Sequence, residues 1–309
     1  CLPRIAFNLD HIFRKAGAHG KQSLTMSMGF GCNAAGVIAC RIIESPRERL
    51  IATLTNNFIP CNGRFPILIT LSILFIGGAV STSYRSAVAS AVVVGLVLTG
   101  IMVTLMVSRL LSKTLLRGVP SFFILELPPY RKPQIGRIII RSLLDRTLFV
   151  LGRAVLIALP AGAITWILAN ISIGGLSILG HAAASLNPFA RLLGMDGFIL
   201  MAFILGLPAN EIVLPILLMS YVSAGSMIEP NSLTALHTIL VVQHGWTWLT
   251  ALSVMLFSLL HYPCGTTLLT IFKETRSLKW TLIALLLPLA VAMLVTFTLT
   301  QAARLLGLV

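Results

Sequence analysis

The sequence predicts an all-α polytopic membrane protein with two pseudo-symmetric halves that contain broken helices. Three observations predict this fold class: the composition, the length of the apolar runs, and two matching pairs of helix breaks. Of the 309 residues, 10% are charged and 57% are hydrophobic, and the mean hydropathy is +0.95. Soluble domains carry about 25% charged residues. The composition therefore excludes a soluble domain.

The positive charge also fits a membrane protein. The net charge of +14 could indicate a nucleic-acid partner, but the basic residues lie mostly in short segments between apolar runs, as in cytoplasmic loops. Binding to nucleic acid is therefore not predicted. The largest such segment, residues 108–141, has one acidic residue, Glu126, and the basic residues Arg109, Lys113, Arg117, Arg131, Lys132, Arg137 and Arg141. We expect it to be cytoplasmic.

The apolar runs are long enough for several membrane spans. The predicted spans cover residues 65–81, 86–107, 143–170, 198–222, 246–272 and 280–303. Residues 23–40 form a shorter, glycine-broken apolar segment, and residues 171–197 are weakly charged and predicted to be external. With that assignment, the basic residues 273–279 reach the cytoplasm only if a broken segment is re-entrant or a helix near residues 233–242 dips into the membrane.

Two kinds of helix break occur in the same order in each half. Gly29-Phe30-Gly31-Cys32-Asn33 matches Gly206-Leu207-Pro208-Ala209-Asn210, which Glu211 follows. Further along each half, Phe58-Ile59-Pro60-Cys61 matches His261-Tyr262-Pro263-Cys264. Paired broken helices indicate a transporter site near the middle of the membrane, commonly built by inverted repeats. We expect the two halves to be such a repeat.

The predicted organisation has three parts. Residues 1–107 form the first half, residues 108–142 a basic cytoplasmic connector, and residues 143–309 the second half. Because the chain starts at Cys1 without a methionine or a signal-peptide pattern, we expect the first half to be truncated at its N-terminus.

The residues at the breaks predict a site for a divalent metal ion. Thiolates at Cys32, Cys61 and Cys264 are soft donors that favour transition metals. Amide oxygens of Asn33 and Asn210, with the carboxylate of Glu211, complete a mixed set suited to a borderline ion such as ferrous iron. Glu211 is the one acidic residue in the interior of a predicted apolar span, away from the span's ends, where a charge costs at least about 2.5 kcal/mol. The sequence has no compact pair of ligands typical of structural zinc.

Other interpretations of these residues stay open. Buried cysteines are usually small hydrophobic residues, which is the preferred interpretation for Cys1 and Cys40. Glu211 could instead be a protonated structural residue, and His261 could be a ligand or an interfacial side chain.

With those residues in view, the chain resembles the membrane region of ferrous iron transport protein B. The resemblance covers nearly the whole chain. Besides the four breaks it includes Ser45-Pro46-Arg47-Glu48-Arg49-Leu50, Glu126-Leu127-Pro128-Pro129-Tyr130-Arg131, and the extensions to Glu211 and to Gly265-Thr266-Thr267. It implies paired Gate regions that carry Fe²⁺ across the bacterial inner membrane, with Cys32, Cys61 and Cys264 as candidates for the iron path.

The chain departs from the family pattern in two ways. Many members have proline shortly after the Gly-Cys-Asn, whereas Ala34-Ala35-Gly36 stands here, so glycine is expected to supply the break. The chain also lacks the Gly-x4-Gly-Lys-[Ser/Thr] motif of a GTP-binding loop. The expected role is therefore transport and not enzymatic catalysis, with GTP hydrolysis supplied by an N-terminal domain or a separate polypeptide.

The expected partners are Fe²⁺ as the substrate, the lipid bilayer, the GTPase and small accessory proteins, with a homo-oligomer also possible. No tightly bound cofactor is expected. The alternative function is transport of a nucleoside-like organic solute, for which Phe30, Phe58 and Tyr262 would supply aromatic surfaces. A third alternative, a membrane scaffold without transport, predicts no dependence on metal ions.

Overall fold

The fold is almost entirely helical, which confirms the predicted class. The computed structural model describes residues 2–77, 84–118, 136, 149–174, 176–222 and 233–307. Three predicted parts lie wholly or partly outside the described residues. They are the connector beyond residue 118, apart from Gly136, the end of the predicted span 65–81 (residues 78–81), and the start of the predicted span 143–170 (residues 143–148).

Short helices and one long helix make up the first half. The α-helices are α1 (Leu2–Lys15), α2 (Gln22–Gly31), α3 (Asn33–Ala39), α4 (Pro46–Thr55), α5 (Phe65–Leu71) and α6 (Arg85–Lys113). Single 3₁₀ turns follow α3 and α4 at Cys40–Ile42 and Asn56–Phe58, and a π-helical segment, Ser72–Ile76, extends α5.

The described part of the second half contains further helices and two short strands. Its α-helices are α7 (Phe149–Asn170), α8 (Ile178–Leu192), α9 (Gly197–Leu205), α10 (Val213–Val222), α11 (Leu233–His237), α12 (Trp248–Leu260), α13 (Gly265–Thr275) and α14 (Leu278–Leu305). A 3₁₀ turn, Asn210–Ile212, precedes α10, and a π-helical segment, Thr238–Gln243, follows α11. Strands β1 (Ser172–Ile173) and β2 (Leu176–Ser177) form a small antiparallel pair in which Ser172 is opposite Ser177.

Fewer segments qualify as spans than the sequence predicts. By length and composition, the described residues contain three candidate spans, Arg85–Lys113, Trp248–Thr275 and Leu278–Leu305. A fourth exists if α8 and α9, which are bent by 109°, count as one. The segment 171–197, predicted only as an external connection, thus contains the helix α8. The predicted span 198–222 is divided into α9 and α10, and the described part of the predicted span 65–81 is the short helix α5 with its π-helical extension.

The long helix α6 has an apolar face that is exposed in the part of the chain that the structure describes. On α6, large side chains four residues apart are exposed: Val94, Leu98, Met102, Met106 and Leu110. Residues at this spacing lie on one face of a helix. Such a face is unfavourable in water and suits contact with lipid, which fits the multi-pass membrane protein that the composition predicts.

The chain is grouped into two compact units, and each unit draws on both halves. Unit 1 contains Cys1–Asn62, Leu98–Leu156 and Thr266–Leu286, and unit 2 contains Gly63–Val97, Ile157–Gly265 and Leu287–Val309. Unit 1 therefore has α4 but not α5, while unit 2 has α12 but not most of α13. In both halves the chain passes from one unit to the other directly after the Pro-Cys break. The predicted boundaries 1–107, 108–142 and 143–309, and the inverted repeat, stay predictions.

Candidate functional site

The first break is made by Cys32 itself. Helix α2 continues through Gly31, Cys32 is extended with φ −157° and ψ 125°, and α3 begins at Asn33. The expectation that glycine supplies this break is therefore wrong. Gly29 and Gly31 lie inside α2, and Gly36 lies inside α3, where they have helical backbone.

Three asparagine side chains meet beside this break in unit 1. Asn56 Nδ2 donates to the backbone oxygen of Asn33 at 3.2 Å and approaches Asn33 Oδ1 at 3.4 Å. Asn33 Nδ2 approaches Asn57 Oδ1 at 3.5 Å. The exposed fractions of Asn33, Asn56 and Asn57 are 2%, 1% and 3%. The 3₁₀ turn before the Pro60-Cys61 break thus packs against the Cys32 break.

Two glycines make room for Asn56. A Cβ on Gly36 would lie 2.5 Å from Asn56 Nδ2, and a Cβ on Gly29 would lie 3.0 Å from Asn56 Oδ1. The glycines near the break therefore serve close packing, since only a residue without a side chain lets α2 and α3 approach this amide group.

The second half contains an equivalent break. Ala209, the counterpart of Cys32 in the sequence match, is extended with φ −150° and ψ 121°, and a 3₁₀ turn begins at Asn210. The backbone angles at Cys32 and Ala209 differ by only a few degrees. The match found in the sequence therefore extends to the local backbone. Asn210 is buried, whereas Glu211 is exposed in the short turn, so its carboxylate lies at a helix break and not inside a continuous span.

The two breaks of the second half meet within unit 2. The backbone N–H of Gly265 donates to the oxygen of Leu207 at 2.7 Å, and the hydroxyl of Tyr262 donates to the oxygen of Phe203 at 2.7 Å. A Cβ on Gly265 would lie 2.9 Å from Ile157 Cγ2. The absence of a side chain at Gly265 thus leaves room for Ile157.

Arg64 joins the segment after Cys61 to the segment before Cys264. Its guanidinium is fully buried and donates to the oxygens of Leu259 at 2.8 Å, His261 at 3.1 Å and Tyr262 at 3.0 Å. Carbonyl groups at the C-terminal end of a helix have no partner within the helix, and Pro263 has no N–H to offer. Arg64 therefore caps the end of α12.

The predicted metal ligands differ in their accessibility. Cys61 is buried, and Cys32 and Cys264 are half-buried. The four described cysteines, which include Cys40, form no disulfide bond. Within the described ranges, no group of three histidine, cysteine, aspartate or glutamate side chains could hold a metal ion. Gly63, two residues after Cys61, lies against Glu211, since a Cβ there would be 3.6 Å from Glu211 Oε2. The ligand roles of Cys32, Cys61, Cys264, Asn33, Asn210 and Glu211 stay predictions.

One end of unit 1 is rich in charged side chains. Lys21 Nζ donates to Glu44 Oε1 at 2.8 Å, and this hydrogen bond lowers the pKa of Glu44. Arg47 Nε donates to the oxygen of Leu116 at 2.5 Å. Arg41 donates twice to Glu274, at 2.8 and 2.7 Å, which raises the pKa of Arg41. The positive-inside rule predicts that this end is cytoplasmic.

Sequence patterns missed three residues that the structure makes prominent: Gln22, Asn56 and Arg64. Each had a signal. Asn56 and Asn57 directly precede the Pro-Cys break, and Arg64 is the one charged residue between Arg49 and Arg85. Gln22 is a buried amide that donates to Thr55 Oγ1 at 2.9 Å. What each contacts depends on tertiary packing.

The fold and the breaks define a polytopic α-helical membrane protein with helices interrupted at matching positions, as in transporters. The family model described as "Nucleoside recognition", the Gate family, matches residues 1–75 and 151–278, and the model "Ferrous iron transport protein B C terminus" matches residues 93–145. The chain belongs to the Gate family. The second match confirms its resemblance to the membrane region of ferrous iron transport protein B.

Curated relatives agree with this assignment. The Fe(2+) transporter FeoB of Staphylococcus aureus (strain MSSA476) is 31% identical over 98% of this chain and 44% of the relative. The Fe(2+) transporter FeoB of Methanocaldococcus jannaschii is 27% identical over 99% of this chain and 45% of the relative. The Fe(2+) transporter FeoB of Synechocystis sp. (strain PCC 6803) is 27% identical over 99% of this chain and 47% of the relative. The chain thus spans less than half the length of these relatives. No solved structure matches it.

Proposed function

We propose that this chain is the permease region of a ferrous iron transporter. Its main support is the packing of the two breaks in each half: the Asn56 turn contacts the Cys32 break, and Gly265 contacts the Leu207 turn. Broken helices expose backbone oxygens that a continuous helix would use. These backbone oxygens are hard ligands for Fe²⁺, and the thiols of Cys32, Cys61 and Cys264 are soft ligands. Ligands of modest strength let the ion leave again.

The remaining assignments complete this proposal. Asn33, Asn210 and Glu211 supply oxygen ligands to the partly dehydrated ion. The protein acts in the bacterial inner membrane, and a GTPase, as an additional domain or a separate polypeptide, controls transport through the cytoplasmic segments. Small accessory proteins and a second copy of the chain are further candidate partners.

Transport of a nucleoside fits the structure less well. A nucleoside site needs an aromatic surface free for stacking and polar groups free for hydrogen bonds. Phe58 has no exposed surface, and Tyr262 is 6% exposed. The hydroxyl of Tyr262 already donates to Phe203. Two of the three aromatic residues that the sequence offered for this role are therefore used in packing.

The experiment measures uptake of radioactive ferrous iron by cells that contain the full-length protein and no other ferrous transporter. Replacing Cys32, Cys61 and Cys264 together by serine should lower uptake by at least roughly tenfold, as expected when groups that support a metal site are lost. The matched control is Cys40→Ser, because Cys40 is buried with its Sγ 3.3 Å from the oxygen of Gly36. Equal uptake by the triple variant and the wild type, at equal membrane abundance, would refute the thiol part of the proposal.

A further inference from the structure

A series of buried polar side chains leads away from the Cys32 break within unit 1. Thr55 and Asn56 are neighbours in the sequence; Asn56 contacts Asn33, while Thr55 Oγ1 accepts from Gln22 Nε2 at 2.9 Å and from Ser108 Oγ at 3.4 Å. We call these five side chains the polar series: Asn33, Asn56, Thr55, Gln22 and Ser108. None of them exposes more than 2% of its surface.

Two oxygens of this series have no hydrogen-bond partner among the described residues: Gln22 Oε1 and Asn56 Oδ1. Their amino groups fix the orientation of both amides, because Gln22 Nε2 donates to Thr55 and Asn56 Nδ2 donates to the backbone oxygen of Asn33. Buried polar atoms in native proteins nearly always have a partner, so an exception requires an explanation such as an ion. A cation that passes the two oxygens in turn would give each of them a partner.

The polar series has a direction. It starts beside Cys32 at the break, and it ends at Gln22 and Ser108, which directly adjoin the basic residues Lys21 and Arg109 in the sequence. These belong to the charged end of unit 1 that the positive-inside rule assigns to the cytoplasm. The series therefore extends from the break toward the side on which, under the proposed function, imported iron is released.

We propose that the polar series is the cytoplasmic exit route for Fe²⁺, with Asn56 Oδ1 and Gln22 Oε1 as successive oxygen ligands. This inference rests on the proposed iron transport and extends it beyond the breaks. Uncharged amide oxygens suit such a route, because a conducted ion needs ligands strong enough to replace water and weak enough to release it. All five side chains are uncharged, so none repels a divalent cation.

The test measures initial rates of ferrous iron uptake against Fe²⁺ concentration for the full-length protein in proteoliposomes under anaerobic conditions. Gln22→Met and Asn56→Leu remove the oxygens with little change in size, and each should raise the half-saturating Fe²⁺ concentration by roughly tenfold or more. Gln22→Glu and Asn56→Asp keep an oxygen and add a negative charge. They should lower the half-saturating concentration and also the maximal rate, because the ion leaves more slowly.

The control is Thr300→Val, which removes another buried oxygen that lacks a described partner but lies in unit 2, outside the series. Its half-saturating concentration should equal that of the wild type. If Gln22→Met and Asn56→Leu reduce only the maximal rate, in proportion to the folded protein recovered, the residues are structural and the route is refuted. If the wild type itself carries no Fe²⁺, the proposed function fails, and the route fails with it.

Discussion

Asn56 illustrates how one buried amide organises a helix break. It contacts the first residue of α3 through Asn33, and it occupies the space that Gly29 and Gly36 leave open. The sequence match identified Asn33, since Asn210 repeats it, but it could not identify Asn56. Motif spacing records neighbours along the chain, whereas the contact between residues 33 and 56 depends on how α2, α3 and α4 pack.

The packing around Asn56 predicts an unequal effect of two glycine substitutions. Gly36→Ala should lower the thermal midpoint of the purified protein, because its Cβ would lie 2.5 Å from Asn56 Nδ2 and overpacking costs about 1–3 kcal/mol. Gly31→Ala is the control, since a Cβ there meets nothing within 4 Å and alanine favours a helix more than glycine does. Equal midpoints for the two variants in detergent would contradict this account of Gly36.

At the scale of elements, the sequence predicted the positions of the breaks but not their stabilisation. The four breaks were found because their residues occur in the same order in each half, although the glycines at the first break have helical backbone. The partners of the carbonyl groups that a break releases come from distant segments. Arg64 reaches α12 from almost 200 positions away, at Leu259 and His261, and no local pattern contains this information.

Arg64 should therefore matter far more to stability than an exposed arginine. Arg64→Met leaves three buried carbonyl oxygens without their donor, at about 1–3 kcal/mol each, and should strongly lower the thermal midpoint. Arg41→Met is the control, because the Arg41 side chain is 67% exposed and such ion pairs contribute about 0–1 kcal/mol. Comparable losses from Arg64→Met and Arg41→Met would show that Arg64 does not hold the end of α12.

At the scale of the whole molecule, composition and charge were sufficient for the fold class but not for the number of spans. Hydropathy treats residues 198–222 as one segment, whereas the structure divides them into α9 and α10, which pack against each other. A re-entrant segment here is one of the two alternatives that the charge rule leaves open, and it stays a prediction. Helix α5 belongs to unit 2 and most of α13 belongs to unit 1. This assignment was not visible in the sequence, because it arises from tertiary contacts.

The measurement that tests the central claim most directly is the rate of cysteine alkylation with and without Fe²⁺. The full-length protein is treated anaerobically with a small maleimide, and mass spectrometry follows the half-buried Cys32 and Cys264. The account predicts that Fe²⁺ slows alkylation of both cysteines, whereas the same concentration of Mg²⁺, which prefers oxygen ligands, has little effect. Rates at Cys32 and Cys264 that are the same with Fe²⁺, with Mg²⁺ and without either ion would contradict the claim that iron passes these breaks.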